Sequence, residues 1–252
     1  MKTKTIAQDR IDFGKTKQTL FFIIMMIFVS CTNNSQNEIQ VFGTLSDIMH
    51  KGAREGVVVI SEAISEDHIY GLGAMENLDG EIIIMDSRPF ITRAQPGKSP
   101  TNQTELTSET KALLLVSTKV TQWNSVTLNS ETDYNSIETM IKAEAKKIGI
   151  NPDNPFPFLI EGDFDQLNWH IISPQGTDGS HDDHLTNSWK KEESNVNGKI
   201  LGFYSERHQT IFTHHSRYSH MHIIFESESL SGHVDDLVIT KPWKLSFPKF
   251  PN

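Results

Sequence analysis

The sequence predicts an α/β protein in two parts, a mixed β-sheet domain with a few helices in front and a mostly antiparallel, barrel-like β-domain behind. Three observations carry that expectation. Short β-branched runs recur from Val57 onward, one well-formed amphipathic helix lies near the middle, and past a proline-rich connector the pattern is almost wholly of strand type. A chain of 252 residues, 37% hydrophobic and 22% charged, suits one large or two small domains. Neither a disordered chain nor a multi-span membrane protein has this composition.

Residues 41–50 read as a strand end followed by a short helix, and Val57 to Ile60 as a brief strand leading into a helical stretch from Ser61 to Ser65. Gly71-Leu72-Gly73 reads as a turn. Glu81 to Met85, all apolar after the glutamate and preceded by Leu78-Asp79-Gly80, reads as a buried strand following a tight turn. Residues 95–110 are polar and read as a loop, whereas Ala112 to Val120 is the strongest strand of this half. From Tyr134 to Ile148, apolar Ile137, Met140, Ile141, Ala145 and Ile148 recur at helical spacing, and Gly149 supplies a left-handed stop. Asn151-Pro152 through Pro157 is the connector, so the expected domains are 39–150 and 151–252. Beyond it, strands are expected at Phe158–Ile160, Trp169–Ile172, Lys199–Tyr204, Tyr218–Phe225 and His233–Thr240, with a long polar loop over 173–196.

The N-terminal residues carry a separate message. Leu20 to Val29 is wholly apolar yet too short to cross a bilayer core of about 30 Å as a helix, and it follows a leader in which Lys2, Lys4, Arg10, Lys15 and Lys17 outnumber Asp9 and Asp12. This is the layout of a secretory signal. Phe28-Val29-Ser30-Cys31 resembles a bacterial lipobox, in which the cysteine is lipidated and becomes the mature terminus. A signal peptide over 1–30, lipidation of Cys31 and a polar tether over 31–38 are therefore expected, giving an exported lipoprotein of the cell envelope. Cys31 is the single cysteine and the formal net charge is -9. No intramolecular disulfide or multi-cysteine metal site can form, and an acidic chain is a poor nucleic-acid binder.

Any transition metal must then be held by His, Asp or Glu. In a strand, residues two apart share a face, so His220 and His222 can reach one point. A two-residue turn at Ser227-Glu228 would place His233 opposite His222, with Cβ atoms about 4.5–5.5 Å apart. Three imidazoles would converge and leave a fourth position open, as in catalytic zinc sites. On geometry alone, a solvated polar strand face remains an equal alternative. A cupin reading with Glu226 as a ligand needs a second histidine block, and none follows His233. His181-Asp182-Asp183-His184 reads as solvated loop, His214-His215 as polar strand-end residues, and the four tryptophans as packing. Gly71-x-Gly73 lacks the third glycine of a dinucleotide fingerprint.

Three blocks together resemble the zinc-dependent alpha-acetolactate decarboxylases. They are Gly71-Leu72-Gly73 through Asn77-Leu78-Asp79-Gly80-Glu81 with Arg93-Ala94, then Phe158 through Phe164, and then Val196 through Tyr204 followed by the paired histidines and Gly232-His233-Val234-Asp235. The resemblance covers roughly residues 40–240 and implies two α/β domains, a zinc ion on His220, His222 and His233, and decarboxylation of 2-acetolactate to acetoin. It makes Glu81 the catalytic glutamate beside the metal, although alone Glu81 would read as a strand-edge surface residue. Ala74 stands where the family has threonine, His170 where it has an arginine suited to a substrate carboxylate, and its C-terminal glutamate has no match in Lys249 to Asn252. His170 and Arg217 are the candidates to bind that carboxylate.

The expected function is thus a zinc-dependent carboxy-lyase acting on 2-acetolactate or a related 2-hydroxy-3-keto acid. The alternative is a zinc-retaining pseudoenzyme, or a small-ligand-binding envelope lipoprotein of the same fold. Expected partners are the small hydroxy-keto acid and, through the lipid anchor only, a membrane; no nucleic acid is expected, and a homodimer is left open. Replacing Cys31 by Ala should move the protein from the membrane to the soluble fraction of its host, and unchanged fractionation would remove the lipoprotein expectation.

Overall fold

Segments such as Ile82–Ile84 and Leu113–Val116 have no polar face to offer solvent, so each must lie in a sheet covered on both sides. The computed structural model describes residues 38–95, 98–103, 105–174 and 186–249. The expected signal peptide, Cys31 and the His181–His184 stretch lie outside them. The described residues belong to a single compact unit built on two sheets.

The first sheet comprises β1 (Gln40–Phe42), β2 (Val58–Val59), β3 (Ile69–Met75), β4 (Glu81–Met85), β5 (Arg88–Arg93), β6 (Thr101–Gln103) and β7 (Lys111–Lys119). Its order is β1-β7-β3-β4-β5-β6, with β2 also on β7. Every described ladder in it is antiparallel rather than mixed. Within it, the β3-β4-β5 meander has connections too short for parallel crossovers. Between β4 and β5, Asp86 and Ser87 both take positive φ, 51° and 61°, as a two-residue primed hairpin turn requires. Gly71-Leu72-Gly73 lies inside β3 and not in a turn. A Cβ on Gly73 would stand 1.9 Å from the Leu114 carbonyl oxygen, so the glycine answers to close strand approach. The described residues of the polar segment 95–110 are loop except for edge strand β6. Two short helices, α1 (Leu45–His50) and α2 (Ile60–Ala63), flank this sheet, the first capped by Thr44 Oγ1 accepting from Asp47 N at 3.1 Å.

The second sheet holds β8 (Trp123–Leu128), β9 (Thr132–Asp133), β10 (Phe156–Ile171), β11 (Trp189–Tyr204), β12 (Ser219–Phe225), β13 (Leu230–Ile239) and β14 (Trp243–Pro248). It runs β8-β14-β10-β11-β12-β13-β9, and β13 also pairs with β10, closing β10-β11-β12-β13 into the expected barrel-like ring. Two expected strands, 158–160 and 169–172, are parts of one 16-residue strand, β10, which pairs with β11 nearly end to end. Residues 189–196, expected in the polar loop, belong to β11. The polar residues of β11 face solvent, while their backbone groups are satisfied by β10.

The helix α3 (Ile137–Lys147) follows its predicted face. Ile137, Ile141 and Ala145 are fully buried in the core of the second sheet, whereas Ile148, just past the helix end, is 47% exposed. Because α3, β8 and β9 all serve this sheet, the change of sheet falls between β7 and β8, ahead of residue 151. The two sheets meet through Leu72, Ile83 and Val116 on one side and Leu159, Leu201 and Ile224 on the other. No helix among the described residues is long and apolar enough to cross a membrane.

One contact pins the register of the ring. Trp169 lies across Gly232, where a Cβ would meet its ring carbon at 2.4 Å and the backbone oxygen of His170 at 2.5 Å. Neither obstacle is a flexible side-chain end. Gly232→Ala should therefore lower the free energy of unfolding by about 1–3 kcal/mol, the usual cost of overpacking, as read from urea denaturation. An unchanged midpoint would show that the pair has slack.

Candidate metal centre

The ring brings the histidines together by register. His222 stands opposite His233 across β12 and β13, and His233 stands opposite His170 across β13 and β10. A row of three imidazoles thus crosses three neighbouring strands, and His220 joins it from two residues along β12. The expected pairing of residues 222 and 233 is present, with the turn at 226–229. Ligand atoms of His220, His222 and His233 all lie within 4.8 Å of one another. The Nε2 atoms of His220 and His222 are 3.1 Å apart.

The first sheet supplies the rest. His222, fully buried, directs Nδ1 at the Ile82 carbonyl oxygen at 2.9 Å, so Nδ1 carries the proton and Nε2 keeps its lone pair for the shared point. Next to Ile82, Glu81 is only 5% exposed. Its Oε1 accepts from Ile172 N at 3.2 Å, and its Oε2 lies 3.6 Å from His222 Nε2. Glu81 is therefore a buried inter-sheet group and not a strand-edge surface residue. His170, also buried, holds Nδ1 at 2.8 and 2.9 Å from the two Asp235 oxygens and Nε2 at 4.0 Å from Glu81.

Burial sets the charge states. It pulls His220 down to about 4, helped by the neighbouring His170 and His214 and opposed by the Phe212 backbone. His222 and His233 are depressed well below 6.5, again chiefly by burial and then by the surrounding histidines. Neutral imidazoles with lone pairs converging on one point are the donor set that a divalent transition metal needs. Burial pushes Glu81 the other way, from 4.5 to about 7, against the pull of His170 and the Ile172 N–H and with some help from Asp235. Burial opposes protonation of His170, but the Asp235 hydrogen bond and charge, with Glu81 behind them, outweigh it and raise its pKa.

These groups open into a cavity of about 300 Å³ walled by Leu45, Ile48, Leu78, Leu114 and Ile172. Ala74, Tyr134, His214 and Arg217 also line it. All the expected site residues within the described part, His220, His222, His233, Glu81, His170 and Arg217, thus border one space or its inner wall. His215 is exposed on the surface. The sequence reading gave no role to Asp235, although it lies two residues from His233 on the same strand face, and strand alternation alone could have drawn it in.

Residues 40–251 match the family described as Alpha-acetolactate decarboxylase. An alpha-acetolactate decarboxylase of Streptococcus thermophilus is 22% identical over 200 residues, covering 79% of this chain and 79% of that protein. One from Brevibacillus brevis is 26% identical over 171 residues, covering 66% of this chain and 55% of that protein. The crystal structure of alpha-acetolactate decarboxylase from Bacillus subtilis strain 168 has a TM-score of 0.68 at 19% identity, covering 84% of this chain and 86% of that one; this is a likeness of fold.

The raised Glu81 pKa has a signature in stability. Between pH 4.5 and about 7 the folded carboxyl keeps its proton while the unfolded one loses it, so the folded state is disfavoured as pH rises through that window. In metal-free protein, Glu81→Gln should gain on the parent by about 3 kcal/mol between pH 4 and pH 8. The measurement is paired urea unfolding across that range. Parallel pH profiles would mean that Glu81 titrates normally.

Proposed function

The chain belongs to the alpha-acetolactate decarboxylase family, and on that premise we propose that it is a zinc-dependent carboxy-lyase. Its substrate is 2-acetolactate, giving acetoin and CO₂, or a related branched 2-hydroxy-3-keto acid. The observation that carries this reading is the meeting of three neutral imidazoles, two buried and one half-buried, with a buried carboxyl group whose pKa lies near 7.

His220, His222 and His233 would hold the ion. When bound, zinc supplies Lewis acidity for the negative charge that develops on the former ketone oxygen as the carboxylate departs as CO₂. The chain's own residues do the rest. The Ile172 N–H fixes one Glu81 oxygen, leaving the other turned toward the histidines. Protonated near neutrality, Glu81 delivers its proton to the carbon that has lost CO₂ and is itself reprotonated from solvent. The apolar walls keep bulk water from the carbon, so the proton arrives from one side. The same reading keeps the protein in the cell envelope, anchored by lipid on Cys31.

Purified protein should contain about one zinc per chain, as expected for a three-histidine site, and should form acetoin from 2-acetolactate faster than its His222→Ala variant, which should lose the metal. Glu81→Gln should keep its zinc while turnover falls by about 10²–10⁴-fold, the usual contribution of a positioned acid. Acetoin formation no faster than in the His222→Ala sample would leave the pseudoenzyme or ligand-binding reading. Loss of zinc in Glu81→Gln would make Glu81 a ligand instead.

A further inference from the structure

We propose that Arg217 grips the substrate carboxylate and makes the cavity selective for 2-hydroxy acids over their uncharged counterparts. The identity of the ligand rests on the decarboxylase reading; the charge selectivity rests on the cavity itself. Among the described residues lining that cavity, Arg217 is the only lysine or arginine.

The guanidinium is already positioned. Arg217 Nη1 donates to the Tyr134 carbonyl oxygen at 3.1 Å, Nη2 donates to Asn135 Oδ1 at 3.2 Å, and the group lies 4.0 Å from the centroid of the Tyr134 ring. The segment leading into α3 therefore fixes the arginine at the cavity. Among the described residues two of its five N–H donors are engaged, and the planar spread of the group suits a carboxylate. Because the side chain is held before any ligand arrives, little rotamer freedom is lost on binding.

The other candidate, His170, is badly placed for an anion. Its Nδ1 is within 2.9 Å of both Asp235 oxygens, and its Nε2 faces Glu81 at 4.0 Å. A carboxylate brought to that nitrogen would have to displace or crowd the Glu81 side chain that already faces it, while Asp235 occupies the other ring nitrogen. Orienting a neutral hydroxyl or ketone oxygen is the role such an imidazole suits. The cavity thus divides its polar tasks, with metal, acid and His170 at the inner end and the fixed cation of Arg217 for the charged end of the ligand.

The test measures binding and needs no turnover. Zinc-loaded protein is titrated calorimetrically with 2-hydroxy-2-methylbutanoate and with the matching amide. Arg217→Met should weaken the carboxylate by about 10–100-fold, the range for hydrogen bonds to a charged group, and leave the amide within about twofold. Arg217→Lys, which keeps charge without the planar fork, should fall between parent and Met variant for the carboxylate alone. Equal loss of both ligands in both variants, no loss in either, or the selective loss appearing in His170→Gln instead would overturn the assignment. Acetoin formation is assayed in parallel. Selective carboxylate loss in a protein that makes no acetoin would uphold the Arg217 assignment and remove only the decarboxylase reading.

Discussion

The contact on which the site depends is the hydrogen bond between the His222 imidazole and the Ile82 carbonyl oxygen, 2.9 Å across the two sheets. A fully buried ring nitrogen left without a partner costs about 1–3 kcal/mol, so the first sheet must sit where it does. That seating fixes the tautomer of His222 and the direction of its free nitrogen. It also determines where Glu81 goes, because Glu81 is the neighbour of Ile82 and its own oxygen is caught by Ile172 N. Nearby, Thr92 and Ser231 meet across the same divide, their hydroxyls 3.0 Å apart and Ser231 N donating to Thr92 Oγ1 at 2.8 Å. The seam between the sheets is polar at the site and apolar away from it. Such a seam tolerates little sliding, since each displaced bond would leave a buried group unpaired.

The same burial that makes the seam exacting gives the histidines and the glutamate opposite responses. Removing water disfavours whichever form carries charge. For an imidazole that means losing a proton, and for a carboxyl it means keeping one. One desolvated space therefore keeps three imidazoles neutral and one carboxyl protonated up to about pH 7 without any further device. Asp235 is the counterweight. It sits half in solvent and keeps His170 from following the other imidazoles.

Much of this could be read from the sequence where periodicity is strong. The shared face of His220 and His222, the turn that sets His233 opposite His222, the buried strand at Glu81–Met85 and the apolar face of α3 all follow from local spacing. The continuity of β10 and β11 did not, because the middle of each strand is polar and glycine-containing, and only their mutual pairing makes them strands. Gly73 reads locally as a turn residue for a related reason, since the need for glycine comes from Leu114 on another strand. The burial of Glu81 was equally hidden. A glutamate at the start of a strand is ordinarily solvated, and only the second sheet covering it changes that. The resemblance to known decarboxylases points to the residue, while the reason for its raised pKa lies in tertiary packing.

The Trp169–Gly232 contact has a consequence for how a correctly built molecule is recognised. Side chains alternate along a strand, so a slip of β13 by one residue against both β10 and β12 would turn His233 to the far side of the sheet. The same slip would put a side chain where the indole needs open space. Misthreading and loss of the three-imidazole cluster are therefore a single event, and a metal taken up by all three histidines acts as a certificate of register. If the three histidines hold a metal, the ion retained in a preparation of this protein would count the molecules whose strands are in step, whatever the remainder display in secondary structure.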